Sequence, residues 1–413
     1  MNQKQVAGTG VGHADLGSVD QKNMTVSEVQ PASPARKRRW LQISLRTLLM
    51  FVLLASVGMS WVAVRIQRAR RQREAVAAIE RVAQDICYDY EVDSLLNRRP
   101  TAAPPVPGWL RELLGNDFFS GVVLVSYSPH AEVTDGDLSH LANLDALRAL
   151  DVRGKEITDA GVRHIAELSH LQWLSISDTG VTDEGLKYLN ELAELRELGL
   201  DNTQVSDMGL SSLKRLRQLE NLGLSFTGIT DKGVEQIASF SRLQSLNLAG
   251  TRITDIGMKH LEVLARLKWL NVSHTDVTDT GLSRLQELPQ LKDLFLRGVH
   301  VTDAGLQSLK WAARLQWLDL SDTQVTDTGL SCLRGLTQLE WLELAGTRVT
   351  DAGVEDLMGL PRLKYLSLVN THVTDQGVNK LQQALPNCRI ETSTPTCRRH
   401  RAGRLMVVQT IQK

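Results

Sequence analysis

The residues with the clearest chemical potential are carboxylates and indoles that return at one spacing. Asp319 and Glu343 lie 24 residues apart. On neighbouring strands, such a pair could divide the roles of general acid and base. Asp also recurs at Asp159, Asp183, Asp207, Asp231, Asp255, Asp279, Asp303, Asp327, Asp351 and Asp375, a ladder of the kind that holds calcium in some β-solenoids. Trp173, Trp269, Trp317 and Trp341, four of the eight tryptophans, share one position of the same spacing.

Catalysis is nevertheless disfavoured. An open sheet excludes no water, and the chain carries no Walker-type loop, nucleophile elbow or HExxH. His164, His260, His274, His300 and His372 fall at different points of the spacing. The four cysteines, Cys87, Cys332, Cys388 and Cys397, form no CxxC pair, which argues against zinc. A Cys388–Cys397 disulfide is open to an oxidising compartment, but free thiols are the expectation. The chain is therefore expected to have no catalytic residue, no metal and no cofactor. Its 47 basic and 47 acidic residues cancel, so no overall field draws it to nucleic acid.

The elements that position these side chains follow from the spacing itself. A pentapeptide of hydrophobe, Thr, Asp, any residue and Gly starts at Ile157, Val181, Val205, Ile229, Ile253, Val277, Val301, Val325, Val349 and Val373, with a degenerate copy at Val133. A leucine-rich period of this length signifies a stacked solenoid. In the unit Leu171–Glu194, Leu174 and Ile176 alternate with polar neighbours as a half-buried strand does. Leu186, Leu189 and Leu192 then line a short helix that needs its neighbours to persist. Asp183, just before that helix, is expected to cap its free N–H groups and face the positive end of its dipole. The Thr two residues before each motif's hydrophobe, such as Thr179, is expected to bridge adjacent turns; Val299 replaces it in one unit.

The full pattern L-x-x-L-x-L-x-x-T-x-[VI]-T-D-x-G-L-x-x-L-x-x-L resembles the leucine-rich repeat family. It is similar to the subtype with helices on the convex side, found in F-box-type substrate receptors and many bacterial proteins. No F-box-like segment occurs, so no ubiquitin-ligase role is carried over. The resemblance is strong over about 123–392 and looser over 36–122, where the basic, apolar and RRQREAVAAIE segments resemble bacterial single-pass, membrane-anchored leucine-rich repeat proteins. It implies an α/β solenoid, a horseshoe with a parallel concave sheet and short convex helices, preceded by one transmembrane helix.

Thr47–Val64 contains 18 residues without a charge, flanked by Arg36–Arg39 and by Arg65, Arg68, Arg70, Arg71 and Arg73. Extended back to Leu41, it reaches the length needed to cross a bilayer of roughly 30 Å. Trp40 and Trp61 sit near its ends, as interfacial aromatics do. The expected organisation is a disordered basic tail at 1–40, a transmembrane helix at 41–64 and a juxtamembrane helix with a Pro-rich linker at 65–108. A cap at 109–132, built from Trp109–Leu114 and the strand Val122–Tyr127, precedes the solenoid at 133–392 and a disordered basic tail at 393–413. The basic flanks nearly balance; the repeats are expected outside the cytoplasm.

The first strand-face position runs Ala149, Trp173, Glu197, Asn221, Ser245, Trp269, Asp293, Trp317, Trp341 and Tyr365. Strands about 4.8 Å apart would make Trp317, Trp341 and Tyr365 a continuous aromatic strip. Phe295, Asp319 and Glu343 stand beside it, with Arg297 one position further. Such rings either stabilise the sheet by stacking or anchor a partner. The candidate surface is therefore Trp269, Asp293, Phe295, Arg297, Trp317, Asp319, Trp341, Glu343 and Tyr365. The expected partner is a protein or peptide; a glycan or an intracellular scaffold role are the alternatives.

Overall fold

A computed structural model describes residues 45–392, apart from 94–95, 97–98, 100–103, 105 and 129. The expected tails at 1–40 and 393–413, and with them Cys397, lie outside the described residues. The chain divides between Gly58 and Met59. In the first unit the described residues, from Leu45 on, are helical and exposed throughout. They begin α1 (Leu45–Ile79), a helix long and apolar enough to cross a membrane.

Among its described residues the second unit holds one sheet of thirteen strands in sequence order. These are β1 (Ala83–Tyr88), β2 (Val122–Tyr127), β3 (Ala149–Asp151), β4 (Trp173–Ser175), β5 (Glu197–Gly199), β6 (Asn221–Gly223), β7 (Ser245–Asn247), β8 (Trp269–Asn271), β9 (Asp293–Phe295), β10 (Trp317–Asp319), β11 (Trp341–Glu343), β12 (Tyr365–Ser367) and β13 (Arg389–Glu391). β1 and β2 pair antiparallel. From β2 onward every pairing is parallel, and between repeats the register is the repeat itself, as in Leu174↔Leu198 and Leu318↔Leu342. The core is correspondingly periodic. Leu171, Leu174, Ile176, Val181, Leu186, Leu189 and Leu192 of one unit are all fully buried, and each such side chain contributes about 1.5–3 kcal/mol.

The Thr-Asp-x-Gly motif has a geometric explanation that corrects the expected role of its Asp. The helix N-cap is the Thr: Thr182 Oγ1 accepts from the Glu184 N–H at 3.3 Å. Asp183 is the first helical residue, and its carboxylate reaches the next unit. There it accepts from the Ser206 N–H at 2.7 Å and the Ser206 hydroxyl at 2.6 Å. The same two-point clamp joins Asp279 to Thr302 and Asp327 to Thr350. Gly completes the device. A Cβ on Gly305 would lie 2.2 Å from Asp279 Oδ1, and one on Gly209 would lie 2.4 Å from Asp183 Oδ1. The motif thus caps its own helix, grips the following unit and leaves room for the preceding unit's grip.

The recurring Thr at the strand exit also departs from expectation. Thr179 Oγ1 donates to Ile176 O at 2.6 Å, closing its own turn rather than bridging two units, and Thr275 does the same to Val272 O. Where Val299 replaces it, the Val299 N–H reaches Leu296 O at 3.3 Å and the side chain is buried.

Of the expected cap, the strand Val122–Tyr127 is β2 and pairs with β3, but the helical part of the cover differs. α2 (Gly108–Leu114) buries no residue, and Trp109 and Leu113 are 66% and 73% exposed. The cover is instead the C-terminal part of α1 with β1. Ala75 and Ile79 join Val122 and Val125 in the core, and the Gln72 amide donates to Asp117 at 2.9 Å and Ser120 O at 3.0 Å. β1 lies in the stretch expected to hold a juxtamembrane helix and a Pro-rich linker. At the other end Leu381, Leu385 and Cys388 are buried beneath β13.

Candidate binding face

Strand pleating puts the odd positions of β8–β12 on the face opposite the helices. The register sets Trp269, Asp293, Trp317, Trp341 and Tyr365 side by side, with Phe295, Asp319 and Glu343 in the parallel row. The aromatic strip is longer than the sequence suggested. Trp341 stacks on Tyr365 at 4.0 Å between ring centroids and on Trp317 at 4.4 Å. Phe295 then joins Trp317 at 5.6 Å and Trp269 at 5.1 Å. The strip crosses rows there, because Asp293 occupies the aromatic row's place on β9.

These rings bury one another: Trp269, Phe295 and Tyr365 are buried, while Trp317 and Trp341 are half-buried. Part of the candidate surface is therefore spent on stacking. The polar neighbours are engaged too. Glu343 accepts from the Trp341 indole at 3.1 Å, Tyr365 donates to Glu391, and Arg297 pairs with Asp322 at 2.9 Å. Asp319 and Glu343 are adjacent in register, yet Asp319 accepts from the Ser321 N–H at 2.8 Å. Both carboxylates thus have structural partners, and no acid–base division is apparent between them.

Burial pushes the carboxyls of Glu197, Asp201 and Asp319 up from the ordinary range. Asp293 is pushed up to about 6 by burial, with Lys292 pulling the other way. An unfolded Asp titrates near 3.9, so between about pH 4 and pH 6 the native state holds the proton longer. Stability from this group is accordingly lost as pH rises through that window and stays lost above it. Asp293→Asn is expected to be more stable than the native chain above pH 6, by up to ~3 kcal/mol, with the difference vanishing near pH 4. Urea unfolding at several pH values checks this, and a pH-independent offset would contradict it.

A second feature of the face was not anticipated. A groove of about 610 Å³ runs along the earlier strands, lined by Trp173, Asp201, Asn247, Phe226, Phe295 and Arg297 among others. Its cause is a run of small side chains in one row, Ser175, Gly199, Gly223, Asn247 and Asn271, ending at Phe295. That run of short residues was the signal in the sequence. In the groove, Asp201 accepts from the Ser225 N–H at 2.8 Å, the Ser225 hydroxyl at 2.5 Å and the Asn247 amide at 3.2 Å. Phe226 edges the groove at φ +54° and is 60% exposed. A left-handed conformation is costly for a bulky residue. Gly250 accommodates the ring, since a Cβ there would lie 2.5 Å from it.

Repeated strand, turn and short helix in one register define the class, a parallel-sheet solenoid. Models described as leucine rich repeat match residues 217–277, 313–373 and 167–189. Those segments are leucine-rich repeats. Among solved structures it is similar to an internalin from Listeria monocytogenes, at 22% identity and a TM-score of 0.46, covering 67% of this chain and 87% of that one. It is also similar to a leucine-rich repeat protein of Leptospira interrogans, at 19% identity and a TM-score of 0.40, covering 61% and 74%. No curated protein matches the chain.

Proposed function

We propose that this chain is a membrane-anchored module that binds a protein or peptide through its concave sheet face and catalyses no reaction. The observation that carries this reading is the run of five aromatic rings in unbroken contact from Trp269 to Tyr365, bordered by Asp293, Arg297, Asp319 and Glu343. Large rigid rings lose little entropy on binding, and with a polar border they form the usual composition of an interface anchor. α1 supplies the anchor, and the repeats work outside the cytoplasm. Asp319 and Glu343, the pair with acid–base spacing, serve neighbouring donors instead, which supports a non-catalytic role.

The groove favours a second reading, a glycan ligand. Its Asn, Ser and Asp groups offer donors and acceptors to hydroxyls, while Trp173, Phe226 and Phe295 offer ring faces.

The anchored reading is tested with an epitope after Lys413 and protease added to cells whose inner membrane stays sealed. Loss of the tag and repeats is the expected result. Protection, with digestion after lysis, would put the repeats in the cytoplasm and replace the reading with an intracellular scaffold. Release of the chain from membranes by alkaline carbonate would remove the anchor itself.

A further inference from the structure

Asp293 differs from the other carboxylates of the concave face. Glu197 takes hydrogen bonds from Asn221 and Trp173, Asp201 from Ser225 and Asn247, Asp319 from Ser321, and Glu343 from Trp341. Among the described residues none donates a hydrogen bond to Asp293, and none forms an ion pair with it; Lys292, its neighbour in sequence, acts on it only through its charge. A half-buried carboxylate without a donor costs stability unless something supplies one.

Its surroundings indicate what would do so. In register, Asp293 lies between Trp269 on β8 and Trp317 on β10, two indoles separated by two strand spacings, or about 9.6 Å. Phe295, two residues on and on the same face, touches both. Beyond Trp317 the rings lie nearly parallel, at 15° and 19°. The three rings that neighbour Asp293 are instead tilted to one another, at 45° and 38°. Aromatic faces carry negative potential and attract cations, with Trp the strongest. A carboxylate among three such rings reinforces that attraction, whereas an anion would meet repulsion and a neutral donor would lack the attraction to the rings.

We infer that Asp293, walled by Trp269, Phe295 and Trp317, is an acceptor site for an organic cation of the ammonium or guanidinium type, presented by the partner as a lysine or arginine side chain. This rests on the concave-face reading and adds its central polar contact. The Phe295 and Trp317 rings place the cation beside the stacked strip, so one partner segment engages both.

The test uses the full chain in an uncharged maltoside detergent. Tryptophan fluorescence is followed while methylammonium chloride, a cation with N–H donors, replaces sodium chloride at constant ionic strength, with acetonitrile as a neutral probe of similar size that has no donor. The expected result is a saturable change with methylammonium alone. The response should weaken about tenfold or more in Asp293→Asn and persist in Asp319→Asn. No saturable change in the native chain, an equal response to acetonitrile, or an unchanged response in Asp293→Asn would each overturn the inference. A cation response without partner contact at this face would defeat the binding-module reading alone. Partner contact without a cation response would defeat this inference alone.

Discussion

Gly305→Ala is expected to destabilise the repeat array by about 3 kcal/mol, a large effect for one methyl group. The added carbon would lie 2.2 Å from Asp279 Oδ1, a distance no relaxation of the Ala itself can relieve. Gly305 has no left-handed backbone to justify it, so the reason for glycine lies in the neighbouring unit. Either Asp279 withdraws and abandons the Thr302 N–H at 2.8 Å and hydroxyl at 2.6 Å, or the two units separate. Asp279→Ala should itself cost about 2 kcal/mol, because it leaves the Thr302 N–H without its charged acceptor. The combination should cost less than the sum, by about 1–2 kcal/mol, since without the carboxylate an alanine at 305 has room. Chemical unfolding of the two single variants and the double variant measures this coupling. Strict additivity would mean that the glycine serves something other than its neighbour's Asp.

The same pair of residues shows how far the sequence could be read. Spacing alone gives strand, turn and helix, because Leu174, Ile176, Leu186 and Leu189 can be buried together in only one periodic way. Spacing cannot say whether a recurring polar side chain works within its unit or between units, since both uses repeat every 24 residues. Asp183 was expected to act locally and acts between units, whereas Thr179 was expected to act between units and acts locally. The aromatic row was legible because strand register follows directly from the period. Phe295 bridging Trp269 and Trp317 was not, since it depends on ring tilt and on Asp293 interrupting the row. The helical part of the cover on the first repeat was missed because α1 reads as one apolar-then-basic helix. Only contact shows that Ala75 and Ile79 belong to the core while Trp109 and Leu113 do not.

The second large effect is expected at Trp341. Its ring lies between Trp317 at 4.4 Å and Tyr365 at 4.0 Å, and its indole N–H serves Glu343. Trp341→Ala should cost about 2 kcal/mol of stability through lost stacking and an unfilled space. Trp341→Phe should recover most of that, because a ring still joins the two neighbours. Partner affinity should fall roughly 30-fold or more in the alanine variant, as at a central aromatic anchor. The phenylalanine variant separates the two effects: a stable array that still binds poorly would show that the indole itself is recognised.

The most direct test of the concave-face account is site-specific photocrosslinking in intact membranes. A photoreactive residue is placed at Glu343, on the strand face, or at Met208, 75% exposed in the first turn of its helix. The account predicts a discrete adduct from position 343 that is lost when Trp341→Ala is added, and none from position 208. An adduct from position 208 with none from 343 would contradict it and move the working surface to the helical side.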